Sequence, residues 1–122
     1  MNRRKIGKKY EDAVAKVLEN HGFCILERNF RCRIGEIDLI ALDGEHLVFI
    51  EVKYRKDKER GWPEQAVGLH KQRIISRVAD YYRVHHPEYE NYQIRFDVAA
   101  ILDTRWRLYR NAFEYQRGNV WK

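Results

Sequence analysis

Apolar residues recur every three or four positions between residues 4 and 21, where Ile6, Tyr10, Ala13, Val14, Val17 and Leu18 form one stripe. That spacing predicts an amphipathic helix. Asn20-His21-Gly22 supplies its stop, because Gly22 can take the left-handed conformation common just past a helix end. The period then changes. Residues 23–31 read as an irregular strand, and 36–42 and 47–53 as two apolar strands joined by a turn at Asp43-Gly44-Glu45-His46. Charged residues dominate 54–63, a loop closing on Gly61-Trp62-Pro63. Pro63 suits the first turn of a second helix, expected over 64–85 and stopped by Pro87. Tyr92, Ile94, Phe96, Val98 and Ala100 then alternate along a strand at 92–102. Asp103-Thr104 turns into a shorter strand at 105–109, and the pattern past Asn111 fits no single element.

The order helix, three strands, helix, two strands predicts one α/β or α+β domain of two or three layers. Ile37 and Leu39 have one parity, Ile40 and Leu42 the other. Strands apolar at both parities are expected to be covered on both faces.

Three charged residues interrupt these apolar strands: Asp38 in Gly35-Glu36-Ile37-Asp38-Leu39-Ile40, and Glu51 and Lys53 in Val48-Phe49-Ile50-Glu51-Val52-Lys53. Taking an unpaired charge out of water costs several kcal/mol, so each needs a partner. Alternation puts Glu51 and Lys53 on one face, and Glu36, Asp38 and Ile40 on one face. If Leu42 pairs with Leu47, Asp38 falls opposite Glu51, with Cβ atoms about 5 Å apart, and Glu36 falls opposite Lys53. A turn centred on Asp43-Gly44 would shift this register. Two carboxylates that close repel unless a cation lies between them, and Mg²⁺ or Mn²⁺ prefers such oxygen ligands while keeping water. Lys53 could then orient an attacking water and stabilise charge on a phosphoryl group. The alternative is a salt-bridged polar patch on an exposed hairpin.

Two helical positions add to this set. Glu11 sits at the edge of the first stripe, beside Gly7, whose missing side chain would allow a close approach; a solvated glutamate is the other reading. Lys71 lies within the second stripe, among Val67, Ile74, Ile75 and Val78. A lysine there either snorkels to solvent or reaches a phosphate, and Gln72 on the flank could add a hydrogen bond. Asp97, between Phe96 and Val98, reads as a polar support of the sheet. The five histidines show no gathering spacing. Trp62, Trp106 and Trp121 could stack on bases or anchor the core.

Composition narrows the partner. The 122 residues carry 24 Lys and Arg against 18 Asp and Glu, a net charge of +6. The excess is clustered at Arg3, Arg4, Lys5, Lys8 and Lys9, and again at Lys53, Arg55, Lys56, Lys58 and Arg60. Such clusters suit a polyanion, nucleic acid above all, although solvated charge alone would also produce them. Cys24 and Cys32 match no metal or redox spacing and read as reduced strand or core residues. No apolar run approaches the roughly 18 residues of a membrane span, and no secretory signal is evident. A cytoplasmic protein is expected.

Asp38 followed after twelve residues by Glu51-Val52-Lys53 resembles the PD-(D/E)xK nuclease signature. Around it stand Gly7-x-x-Tyr10-Glu11, Gly22-Phe23, Arg28-Asn29-Phe30-Arg31, Gly35-Glu36-Ile37-Asp38-Leu39-Ile40, Val48-Phe49-Ile50-Glu51-Val52-Lys53-x-Arg55, Lys71-Gln72, Arg95-Phe96-Asp97-Val98 and Asn111-Ala112-Phe113. Together they resemble, over nearly the whole chain, the small bacterial YraN-like family. That family is similar in pattern to archaeal Holliday-junction resolvases, within the restriction-endonuclease-like superfamily. The resemblance implies a restriction-endonuclease-like mixed β-sheet flanked by helices, one nuclease domain over 1–122. It implies a Mg²⁺ or Mn²⁺ ion on Asp38, Glu51 and the Val52 carbonyl, with Lys53 as the catalytic lysine. Glu11 matches a first-helix glutamate of resolvase-like members, and Lys71 or Gln72 a second-helix position. Ile37 replaces the motif's proline, which carries no chemistry. Arg33, Arg55, Lys56 and Lys71 are the expected nucleic-acid contacts. The expected function is a metal-dependent DNA endonuclease, acting on branched or other non-duplex DNA and working as a homodimer if two strands are cut symmetrically. A non-catalytic nucleic-acid-binding module and a recombination or repair scaffold are the alternatives.

Overall fold

A computed structural model describes residues 3–57, 59, 61–63 and 66–118, with side chains from Gly7 onward. The side chains of Arg3, Arg4, Lys5 and Ile6, and residues Lys58, Arg60 and Trp121, therefore lie outside the described set. The chain runs α1 (Arg3–Asn20), β1 (Cys24–Arg31), β2 (Glu36–Asp43), β3 (His46–Arg55), α2 (Leu69–His85), a 3₁₀ turn (Pro87–Tyr89), β4 (Gln93–Leu102) and β5 (Arg105–Phe113). The strands form one sheet in chain order. Only β3 and β4, separated by α2, run parallel, because a parallel neighbour needs a long crossover whereas the other pairs are joined by short turns.

The sheet is buried on both faces, as the two-parity strands imply. Leu47, Phe49, Phe96 and Val98 pack with Ile75, Val78, Ala79 and Tyr82 of α2. Leu39, Ala41, Val48 and Ile50 pack with Val14, Ala15 and Leu18 of α1. The architecture is α+β, with one helix on each side of a mixed sheet. Full burial of each large apolar side chain contributes roughly 1.5–3 kcal/mol, so the middle strands bring the greatest stabilisation. Gly22, at φ 93°, ends α1 as its sequence requires.

Two expectations change. The second helix starts at Leu69, not at 64: Gly68 has extended backbone (φ −60°, ψ 150°) and caps it. Val67 is buried in the α2-side core while preceding the helix, which is why the apolar stripe looked continuous; Glu64 lies outside the described residues. The last strand extends to Phe113 rather than 109, and residues 114–118 fold back on α2, where the Gln116 N–H donates to Ser76 Oγ at 3.0 Å and the Tyr115 hydroxyl meets Asp80. Cys24 is exposed at the start of β1 and Cys32 is half-buried; both are free thiols.

Candidate active site

Leu42 pairs with Leu47 and Ile40 with Phe49, and the β2–β3 ladder runs from Asp43↔His46 to Leu39↔Ile50. The tight turn is therefore Gly44-Glu45, and Asp38 and Glu51 come next in this register. There the backbones part. β2 stays with β1 as far as Arg31↔Glu36, while β3 stays with β4 as far as Arg55↔Leu102. A strand N–H left at such a fork needs an acceptor. The Asp38 carboxylate supplies it, with Val52 N–H donating to Oδ2 at 2.7 Å.

Across the fork the Asp38 and Glu51 carboxyl groups stand close enough that a hydrogen bond between them favours a protonated Asp38. Burial, that hydrogen bond and the Glu51 charge push Asp38 up to about 8, against the pull of the Val52 N–H. Glu51 has a side chain only 9% exposed, and the Lys71 ammonium lies 2.6 Å from its Oε2. Burial draws the Lys71 ammonium down, but the Glu51 bond and the charges of Glu51, Asp38 and Glu36 outweigh it, and its pKa rises. From the other side of the sheet Glu11 reaches Asn29 and Asp38. Burial raises Glu11 most; these two hydrogen bonds lower it, and the Glu36 and Asp12 charges raise it again. Its Oε1 is buried without a hydrogen-bond partner among the described residues.

The structure thus gathers Glu11, Asp38, Glu51 and Lys71. Lys53 goes elsewhere: its ammonium donates to the Ala66 carbonyl at 2.5 Å, in the segment leading to α2. The expected Glu36–Lys53 pairing is absent because the ladder has already split; Glu36 instead forms an ion pair with Arg31 at 3.1 Å. Gln72 is also turned away, its amide donating to Val67 C=O at 2.7 Å and its Oε1 accepting from Gln116 at 3.3 Å. Arg55 braces the same connection, donating to the Trp62 and Gly61 carbonyls, while Arg33 and Lys56 are exposed. Gly7 makes no close approach. A Cβ there would meet nothing within 4 Å, and Gly7 instead borders an open hollow with Lys8, Glu11, Asn29, Arg31 and Glu36. Trp62 lies beneath Arg107 and Arg105, their guanidinium carbons 4.1 and 5.5 Å from its ring centre.

Asn29 joins the set unforeseen. Its φ of 53° is a left-handed conformation that Asn tolerates better than most residues, and it stands beside Glu11. An Asn inside an irregular strand was the available signal.

A divalent cation fits this chemistry. Asp38 and Glu51 are oxygen donors brought close together, with Asp38 biased toward its protonated form, whose proton a cation would displace, and Glu11 offers a buried oxygen without a hydrogen-bond partner among the described residues. Among the described residues no three His, Cys, Asp or Glu side chains form a metal-holding group by themselves. A cation here would have two carboxylates as its side-chain donors and would need backbone carbonyl and water to complete its shell, as Mg²⁺ commonly does.

Residues 10–101 match the uncharacterised protein family UPF0102. The chain belongs to the UPF0102 family. A UPF0102 protein of Lachnoclostridium phytofermentans is 44% identical over 114 residues, covering 93% of this chain and 97% of its own. Those of Caldicellulosiruptor saccharolyticus and Syntrophus aciditrophicus are each 42% identical, covering 83% and 93% of this chain and 85% and 92% of theirs. This is the YraN-like family that the motifs resemble. The UPF0102 match includes Glu11, Asn29, Asp38, Glu51, Lys53 and Lys71, and stops short of the segment 114–118 that docks on α2. No helix among the described residues is long and apolar enough to cross a membrane.

Proposed function

We propose that this UPF0102 protein is a divalent-metal-dependent endonuclease that hydrolyses DNA phosphodiesters, a member of the PD-(D/E)xK superfamily. The observation that carries the reading is the carboxylate pair Asp38–Glu51 at the β2–β3 fork, with Lys71 on one member and Glu11 behind the other. Asp38, Glu51 and the Val52 carbonyl would hold Mg²⁺ or Mn²⁺, which supplies Lewis-acid activation of a phosphoryl oxygen and of water. The Val52 N–H fixes the Asp38 carboxylate in the fork. Lys71 can exchange its Glu51 contact for a non-bridging phosphate oxygen, neutralising charge that grows as water attacks. Glu11 can accept a hydrogen bond from that water. The water oxygen bonds to phosphorus, one P–O ester bond breaks, and the strand is left with a phosphate monoester and a hydroxyl; the water's proton goes to base and the leaving oxygen takes one up. Lys53, held by Ala66, orders the connection into α2 and thereby positions Lys71. Cytoplasmic location and action on branched DNA by a homodimer belong to the same proposal.

The test is cleavage of duplex, nicked, branched and single-stranded DNA with Mg²⁺ or Mn²⁺. Asp38→Asn and Glu51→Gln are expected to lower the rate at least about a hundredfold, the scale of losing one preorganised electrostatic group, with unfolding transitions intact. Cleavage surviving both substitutions excludes the site. One observation favours a nucleic-acid-binding module without turnover: the Lys53 ammonium is engaged by a backbone carbonyl rather than by the carboxylates. Salt-sensitive DNA affinity with no cleavage under any metal would select that reading.

A further inference from the structure

Residues 114–118 carry the chain across α2, and the crossing builds a second basic feature on that helix. Arg73 and Arg77 stand one helical turn apart on α2, Arg117 comes from the crossing segment, and with Gly118 they line a hollow of about 280 Å³. Arg77 is pinned there. Its Nη2 donates to the Gln116 carbonyl, and its Nε lies 3.3 Å from Asp80 Oδ2. A Cβ on Gly118 would land on the Arg77 guanidinium, so a larger residue there would displace the Arg77 head. Arg73 and Arg117 are exposed and have no ion pair among the described residues. Three cations converge on one hollow, and among the described residues only Arg77 has an acid in contact.

The hollow is coupled to the site by sequence and by contact. Gln72 follows Lys71, Gln116 precedes Arg117, and the two glutamine side chains are hydrogen-bonded. Along the helix axis Arg73 and Arg77 lie about 3 and 9 Å beyond Lys71, at 1.5 Å per residue. The turn of about 100° per residue sets Arg73 and Arg77 about 200° and 240° around α2 from Lys71, so a strand with one phosphate at Lys71 reaches the hollow by passing around the helix, several phosphates further along at about 3.4 Å each. Guanidinium forks suit phosphate oxygens better than ammonium does, because two parallel N–H groups match two oxygens.

We propose that Arg73, Arg77 and Arg117 form a seat for a backbone phosphate of the bound nucleic acid, around α2 from the phosphodiester held at the carboxylates. This inference rests on the nucleic-acid reading above for its ligand, but not on catalysis. The seat fixes the register of the strand without reading its bases, since phosphate contacts position and base contacts specify.

The experiment measures binding by the full chain without metal, using a labelled single-stranded oligonucleotide and the corresponding duplex over a range of salt. Arg73→Gln and Arg117→Gln are expected to weaken binding about tenfold each, as charge-assisted contacts are lost. The slope of log affinity on log salt should fall by about 0.7 per variant for the single strand. Lys16→Gln, the same charge change at an exposed position of α1, should have a much smaller effect. Gly118→Ala should act like the arginine variants by displacing the Arg77 head, with its unfolding transition unchanged. Arginine variants that behave as Lys16→Gln does would overturn the seat and leave only delocalised charge. Inorganic phosphate protecting the hollow while oligonucleotide affinity ignores Arg73 and Arg117 would make it a free-anion site and also overturn it. Loss of cleavage with the binding pattern intact would refute the nuclease reading alone.

Discussion

Moving Asp38 from water into the fork between β2 and β3 strips its hydration, and Glu51 adds a second carboxyl at hydrogen-bonding distance. The ordinary value of 3.8 rises to about 8 on folding, so between those limits the native chain binds more protons than the unfolded chain. Stability of the metal-free protein therefore falls as pH climbs from about 4 to about 8 and levels off above. Asp38→Asn should remove this slope, because the amide oxygen still accepts from Val52 N–H and the amide nitrogen donates to Glu51. In urea denaturation with a chelator, the variant is expected to match the parent near pH 4 and exceed it at pH 8 by on the order of 1–3 kcal/mol. A parent that gains on the variant across that interval would show Asp38 ionised in the fold. Asp38 and Glu51 were legible in the sequence because charge inside an apolar run demands a partner, and Glu11 and Lys71 because each sits on or beside an apolar stripe. Lys53 was not. Strand parity fixes the face a side chain leaves from, but a four-carbon stem lets the ammonium travel, and here it goes to Ala66.

Among the elements, β4 and β5 show how a buried charge is tolerated when every oxygen is bound. Asp97 is 0% exposed, at a register shift between Phe96 and Val98. Its carboxylate accepts from Arg95 Nε and Nη2 and from the Asn111 N–H, all at 2.9 Å in their shortest contacts. Arg95 also donates to Asp43 at 2.8 Å, so one ion network ties the β2–β3 turn to β4 and β5. Asn111, at φ 56°, presents its N–H to that carboxylate. Asp97→Ala leaves Arg95 buried without its main counter-charge and should cost about 3–5 kcal/mol, read as a lower urea midpoint with unchanged denaturant slope; a loss under about 1 kcal/mol would mean the network is solvated. The sequence showed the strands, since alternation, a Gly turn and apolar residues at both parities all agree, and left the hairpin register between two turns until Leu42↔Leu47 decided it. It hid the start of α2, because Val67 contributes to the core from extended chain, and it hid the fork, because strand separation is decided by which neighbour each strand keeps. The docking of 114–118 on Ser76 and Asp80 joins residues some forty positions apart, which no local pattern encodes.

At the scale of the whole molecule the sheet is stabilised from both faces by apolar burial, while its functional end is left with carboxylates in close contact. Sites built for a ligand commonly subtract from the stability of the empty fold, and here the deficit has a named source: burial beside Glu51 raises the Asp38 pKa, and Glu11 has a buried oxygen without a partner among the described residues. A divalent cation that binds only the folded chain adds RT ln(1 + [M]/Kd), about 2.7 kcal/mol at a hundred times Kd. For a chain of this size that corresponds to a rise in Tm of roughly 8–15 °C. The gain should be larger at pH 8 than at pH 5, because the cation must displace the proton on Asp38 and acid restores it. Lys71 competes for Glu51 from outside, so Lys71→Met should tighten the ion rather than weaken it, even though it removes the group assigned to the phosphate. The measurement is thermal unfolding with Mg²⁺ or Mn²⁺ against NaCl of matched ionic strength, which separates a bound ion from screening of the +6 net charge. Glu51→Gln should abolish the metal-dependent rise and leave the salt effect in place. A rise of equal size in parent and Glu51→Gln would assign the stabilisation to another part of the surface and remove the carboxylate pair as a metal centre.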